Sequence, residues 1–126
     1  MDKTITGLLV IVGIIHLLPL SGVLGPERLS ILYGISINET NIEILMRHRA
    51  VLFGLLGAFL IYAAFKPALQ SLALIAGFIS VISFIAIAWS AGDYNDSVRK
   101  VVWADIVAIV ALTIASVIHF INRKQT

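Results

Sequence analysis

Ionisable side chains interrupt this sequence rarely, and the few that do so beside long apolar runs are where chemistry can occur. Arg47, His48 and Arg49 stand in a row ahead of one charge-free stretch. Asp105 follows Val101-Val102-Trp103-Ala104 at the head of another, and His16 stands alone inside the first, three residues before Pro19. An arginine fork donates in pairs to carboxylates, phosphates and polar head groups, and a carboxylate beside it orients the fork. Histidine titrates near neutrality and can relay a proton. Charged groups at membrane depth cost several kcal/mol, about 2.5–3.5 on insertion scales, unless paired or hydrated, so each is a functional candidate.

The simplest arrangement pairs Asp105 with Arg47 or Arg49. Arg47 precedes Ala50, Gly54 and Ala58 by three, seven and eleven residues, so it shares their helix face and is expected to look into the bundle. Arg49 and His48 then point elsewhere. Two readings follow. Either an ion pair staples two helices while the remaining cations anchor an interface, or the cluster receives an anion or polar head group. His16 likewise either donates to a neighbouring carbonyl or serine, or lines a cavity with Asp105. Tyr33, Trp89, Tyr94 and Trp103 gather at the same end, as an interfacial belt or as walls of that cavity.

Other chemistries lack their residues. There is no cysteine, which removes disulfides, thiolate metal sites and cysteine nucleophiles. HxxxH and ExxH metal spacings do not occur. Bis-histidine haem needs two imidazoles at one depth, whereas helical rise puts His48 roughly 9 Å further out than His16, with His119 near the opposite end. Glycine-rich phosphate loops, nucleophile elbows and paired catalytic carboxylates are absent, so no catalytic residue, metal or cofactor is assigned. Net charge is only +2 and no basic stripe is present, which argues against nucleic acid as a partner.

The elements that position these residues follow from charge and punctuation. Hydrophobic residues make up 60% of the 126 and charged residues 13%, against about 25% charge in a soluble domain. Acidic and basic residues are missing from 4–26, 50–65, 67–92 and 106–122, and a span needs about 20 apolar helical residues. The second stretch is short, but Arg47, His48 and Arg49 can snorkel and extend it. In lipid each span must satisfy its own backbone, which means helix. The expectation is an all-α, four-helix transmembrane bundle in one domain, with spans near 5–24, 46–65, 68–90 and 102–121. The first apolar run is longer than a signal h-region of about 7–15 residues and reads as a retained span.

Gly25-Pro26-Glu27 opens a short interfacial helix over 26–33 that Gly34 ends. Thr40-Asn41-Ile42-Glu43 reads as a capping box, Lys66-Pro67 as a tight turn, and Asn95 or Asp96 as the cap of the last helix. Both termini share one end with Lys66, and the 25–46 and 93–100 loops share the other. Lys and Arg divide four against five between those ends, so positive-inside counting sets no orientation. Small residues form stripes at Ala50/Gly54/Ala58 with Gly57, at Ala73/Gly77/Ser80/Ser83, and at Ala104/Ala108/Ala111/Ala115. Such faces pack helices closely, within one chain or between copies.

The segments HLLPLSGVLG (16–25), LMRHRAVLFGLLGAFLIYAAF (46–65 with its flank) and VVWADIVA (101–108) resemble an uncharacterised group of small four-helix inner-membrane proteins of proteobacteria. The resemblance extends over nearly the whole chain. Members of the group are sometimes labelled phosphopantetheine adenylyltransferase, a soluble enzyme that needs a Rossmann-like sheet and a histidine-bearing nucleotide motif, neither of which this sequence has. A remoter similarity is to DoxX-like four-helix proteins, in architecture alone. The resemblance implies a bacterial inner-membrane location and carries His16, Arg47, His48, Arg49, Trp103 and Asp105 as ligand-binding candidates. It brings no activity with it. The expected role is a non-enzymatic membrane module that binds or translocates a small polar, anionic or lipid-like ligand. The alternatives are a subunit docked on a larger membrane complex and a small membrane enzyme or quinone-linked redox accessory. Membrane lipids and either a second copy or a larger complex are the expected partners.

Overall fold

A computed structural model of the chain describes residues 2–124. Among them the chain forms helices only. α1 (Lys3–Leu17) runs on as a 3₁₀ segment (Leu18–Leu24), followed by α2 (Pro26–Tyr33), α3 (Thr40–Ala64), a 3₁₀ turn (Pro67–Leu69), α4 (Gln70–Ala91) and α5 (Asp96–Lys124). Four stretches, Lys3–Leu24, Thr40–Ala64, Pro67–Ala91 and Asp96–Arg123, are long and apolar enough to cross a membrane.

Local chemistry sets the boundaries. Asp2 caps α1, its carboxylate accepting from the backbone N–H of Thr4 at 2.8 Å and of Ile5 at 3.3 Å. Asn122 donates to the other oxygen at 3.0 Å, tying the start of α1 to the end of α5. The Asn122 hydrogen bond, with the Ile5 amide, holds the Asp2 carboxyl below its ordinary value of 3.8. That tie is therefore complete above the ordinary value and lost as pH falls through the lowered one. Pro19 lies at the start of the 3₁₀ segment, where its missing N–H and its ring break the α-helical ladder. Gly34 ends α2 in the left-handed region at φ 65°, a conformation that costs glycine little.

The start of α3 departs from the expected capping box. Glu39, extended at φ −113° and ψ 127°, is the cap, and its carboxylate accepts from Ile42 N–H at 2.9 Å. Thr40 is already the first helical residue, and Glu43 turns outward to Arg47 at 3.2 Å. The cap falls where the backbone leaves extended geometry, and that happens one residue earlier than the Thr/Glu spacing suggests. Asn95 caps α5 by accepting from Val98 N–H at 2.8 Å. It also donates to the Tyr33 carbonyl at 2.8 Å, joining the two loops at one end of the bundle.

α1 packs on both α3 and α5, and α4 packs on α5. α3 and α4, though consecutive and joined by a tight turn, touch more sparsely than these pairs. The interior is built from small residues. Ala63, Ala73, Ala108 and Ala115 are fully buried, alongside Leu9, Val12, Leu60 and Leu112, while many large apolar side chains such as Ile75, Ile79 and Ile87 face outward. The α3 stripe works inside the fold: a Cβ on Gly54 would lie 2.5 Å from Leu20 of the 3₁₀ segment, and Ala58 alone of its members is exposed. Deeper down, Gly57 faces Gly13, and a Cβ there would lie 2.7 Å from the Gly13 carbonyl oxygen. Backbone cannot yield as a side-chain tip can, so Gly57→Ala should cost about 1–3 kcal/mol in detergent unfolding. Gly7→Ala, at a site with open space, should be neutral or stabilising by up to about 1 kcal/mol. Equal melting of the two variants would contradict close α1–α3 contact.

Candidate functional site

The loop end of the bundle holds a cavity of about 300 Å³, walled by residues of α1, the 3₁₀ segment, α2, α3, α4 and α5. α5 contributes Ser97, Lys100, Val101, Ala104 and Asp105, whose spacings of three, one, three and one place them on one helical stripe. α3 contributes Arg49 and, one turn on, Phe53. α1 contributes Ile15 and His16, α4 contributes Phe84, and α2 closes the top with Ile31, Leu32 and Tyr33.

Arg49 lies among aromatic rings. Its guanidinium carbon is 4.4 Å from the Phe53 ring centre, 5.2 Å from that of Tyr33 and 5.9 Å from that of Phe84. Ring faces carry negative potential and attract the cation, more strongly where water is thin. Arg49 Nη1 donates to the Tyr33 hydroxyl at 2.6 Å, which fixes the fork in place. Asp105 lines the same cavity as this cation, but the arginine's hydrogen bond goes to Tyr33. Asp105 is 9% exposed, faces the cavity and receives no hydrogen bond from the described residues.

His16 forms the floor at 2% exposure. Nδ1 lies 2.8 Å from the Val12 carbonyl, an acceptor only, so Nδ1 carries the proton. Nε2 of the neutral ring then accepts from the Ser80 hydroxyl at 2.8 Å. This pair crosses the bundle from α1 to α4, and the His16 ring tilts at 39° to Phe53 with centres 5.8 Å apart. Below His16 the packed core of Leu9, Val12, Leu60, Val81, Ala108 and Leu112 separates this cavity from the terminal end. There, Ser71 and His119 (2.8 Å) and the Asp2–Asn122 pair line a wider, open groove.

Of the six residues expected at a site, the structure brings His16, Arg49 and Asp105 together. Arg47 corrects the expectation that it faces Asp105. It does share the face of Ala50 and Gly54, but that face meets the 3₁₀ segment. Arg47 Nε donates to the Val23 carbonyl at 2.9 Å and Nη1 to Glu43 at 3.2 Å, at the exposed surface. Arg49, two residues and roughly 200° further round the helix, is the inward arginine. His48 is exposed and Trp103 is 62% exposed, and neither lines the cavity. Tyr33 is a wall rather than part of a belt, whereas Trp89 faces outward at 64% exposure.

Sequence reasoning passed over Phe53, Phe84, Ser97 and Lys100. The α5 stripe and the four-residue step from Arg49 to Phe53 were the available signals. Phe84 had none, because only the tertiary fold sets α4 beside Arg49. Among the described residues no group of three metal-ligating side chains occurs. No protein-family model, curated protein or solved structure matches the chain.

The two arginines should separate in mutagenesis. Arg47→Ala removes an ion pair to Glu43 and a hydrogen bond to the Val23 carbonyl, both at the exposed surface, and should cost no more than about 1 kcal/mol. Tyr33→Phe keeps the ring and removes only the hydroxyl that accepts from Arg49, at about 1.5–3 kcal/mol for a hydrogen bond to a charged group. Unfolding midpoints in detergent measure both, and a larger loss at Arg47 would reverse the assignment.

Proposed function

We propose that the chain is a multi-pass protein of the bacterial inner membrane whose loop-end cavity binds a small lipid-like ligand without transforming it. The four apolar helical stretches and an interior of small residues beneath outward isoleucines support the membrane reading, because lipid-facing surfaces want large apolar groups and helix contacts want small ones. The bacterial location rests on the resemblance set out above.

The observation that carries binding is Asp105. The residue is nine-tenths buried, its carboxylate oxygens keep their access through the cavity and receive no hydrogen bond from the described residues, and a ligand's donor can supply there what water must otherwise supply. Apolar walls with a few convergent polar groups are the usual make-up of a small-molecule site. Binding is favoured over translocation because the core below His16 is closed. It is favoured over catalysis because the Ser80 hydroxyl that His16 Nε2 meets is not among the residues lining the cavity, so the pair does not face a bound ligand. The docking alternative loses its most obvious surface, since Gly54 is covered by Leu20.

Thermal unfolding of purified wild type and Asp105→Asn, each screened against lipids, quinones, haem and small anions, tests the proposal. A true ligand at a hundred times Kd stabilises wild type by about 2.7 kcal/mol and leaves the variant much less affected. If no compound stabilises wild type and Asp105→Asn simply melts lower, Asp105 is a helix staple and the binding reading fails.

A further inference from the structure

We infer that the cavity is a socket for the uncharged, hydroxyl- and carbonyl-bearing head group of a single-chain amphiphile, which enters sideways from the bilayer between Leu18 and Ile31. This rests on the binding reading above and adds the ligand's chemistry and its route.

The head group follows from what the cavity leaves unused. Asp105 offers an acceptor, and Arg49 has placed one of its five N–H donors on Tyr33. A ligand that satisfies both sides must donate to the carboxylate and accept from the guanidinium. Its charge follows from theirs. Arg49 and Asp105 line the same cavity and, as guanidinium and carboxylate, sum to zero, and Lys100 is exposed at the rim, where solvent and salt screen it. A charged head would give up its hydration in a largely apolar cavity whose one surplus charge, on Lys100, is the screened one at the rim. A neutral hydroxyl-and-carbonyl group leaves the Arg49–Asp105 balance intact.

Size and opening give the rest. About 300 Å³ is the lower end of the range for ligand pockets. It admits a head group the size of glycerol and excludes the bulk of a two-chain lipid. The lining includes Leu18 and Ile31, which are 62% and 68% exposed and flank the mouth. Leu18 belongs to the first apolar stretch, Lys3–Leu24. There the switch from α-helix to 3₁₀ geometry offsets the chain and α2 lies against it. A mouth framed by two exposed apolar side chains on a membrane helix and its neighbour suits an alkyl tail that stays in lipid.

The test uses the full chain in phospholipid nanodiscs, where no detergent competes, with a monoacylglycerol carrying a photoreactive group in its tail. Crosslinks are expected in the segment around Leu18 and Ile31. Monoolein should compete them away, and glycerol, oleate and oleylamine should not. Asp105→Asn should weaken competition at least tenfold, about 1.4 kcal/mol. Leu18→Trp should block labelling, whereas Ile14→Trp, exposed on the same helix one turn away, should not. Stronger competition by oleate or oleylamine overturns the neutral head group. Competition by glycerol alone, or labelling indifferent to Leu18→Trp, overturns lateral entry. Absence of competable labelling overturns the whole inference, while an Asp105-dependent hit in the stability screen would leave the broader binding reading standing.

Discussion

The backbones of α1 and α3 come within van der Waals reach where Gly13 faces Gly57, and much of the architecture depends on that approach. Below it, toward the termini, alanines of α3, α4 and α5 fill the interior beside Ile5, Leu9 and Val12 of α1. Above it, within about one turn, the facing positions carry His16, Phe53 and Phe84, and α3 meets α4 only sparsely. A bundle cannot be narrow at one level and hold aromatic rings and a guanidinium at the next without diverging. The 3₁₀ segment and α2 cover that divergence incompletely, and the remaining space is the cavity.

Arg49, His16 and Asp105 are held in the cavity in different ways. Arg49 is sheathed by aromatic faces and fixed by one hydroxyl. His16 is held by a carbonyl acceptor on one nitrogen and a hydroxyl on the other. Asp105 has neither device and is left to whatever fills the cavity. Groups that are fully satisfied by their own protein hold a fold together, whereas one left open at a cavity wall is more useful to a ligand. That asymmetry is why the functional reading centres on Asp105 rather than on the more conspicuous run Arg47-His48-Arg49.

The two ends of the bundle differ in the same respect. At the terminal end Asp2, Asn122, Ser71, His119, Gln70 and Thr6 find partners in one another or in the Ala64 carbonyl, so the polar groups around the open groove there are satisfied by the protein itself. At the loop end polar groups converge without saturating one another. An apolar core several residues deep lies between, which makes the molecule one-sided and suits a receptor for a membrane-dissolved compound better than a conduit.

The sequence by itself determined the long helices and much of their punctuation. Charge-free runs of helix length, Pro26 with Gly34, the Lys66-Pro67 turn and the Asn95 cap are local signals, and each acts through its own backbone or immediate neighbours. It also located the end of the bundle at which polar residues gather, because alternating helix direction follows from connectivity. Tertiary structure alone decided which residues meet there. Arg47 and Arg49 lie roughly 200° apart on one helix, and sequence spacing correctly put Arg47 on the Ala50/Gly54 face. What occupies that face is the 3₁₀ segment, through Leu20 and Val23, so the arginine on the other face enters the cavity. Trp103 turns outward and Phe84 inward for the same reason: a membrane-like helix is apolar all round, so periodicity carries almost no record of its inner side. Only packing against the neighbouring helices fixes the rotation.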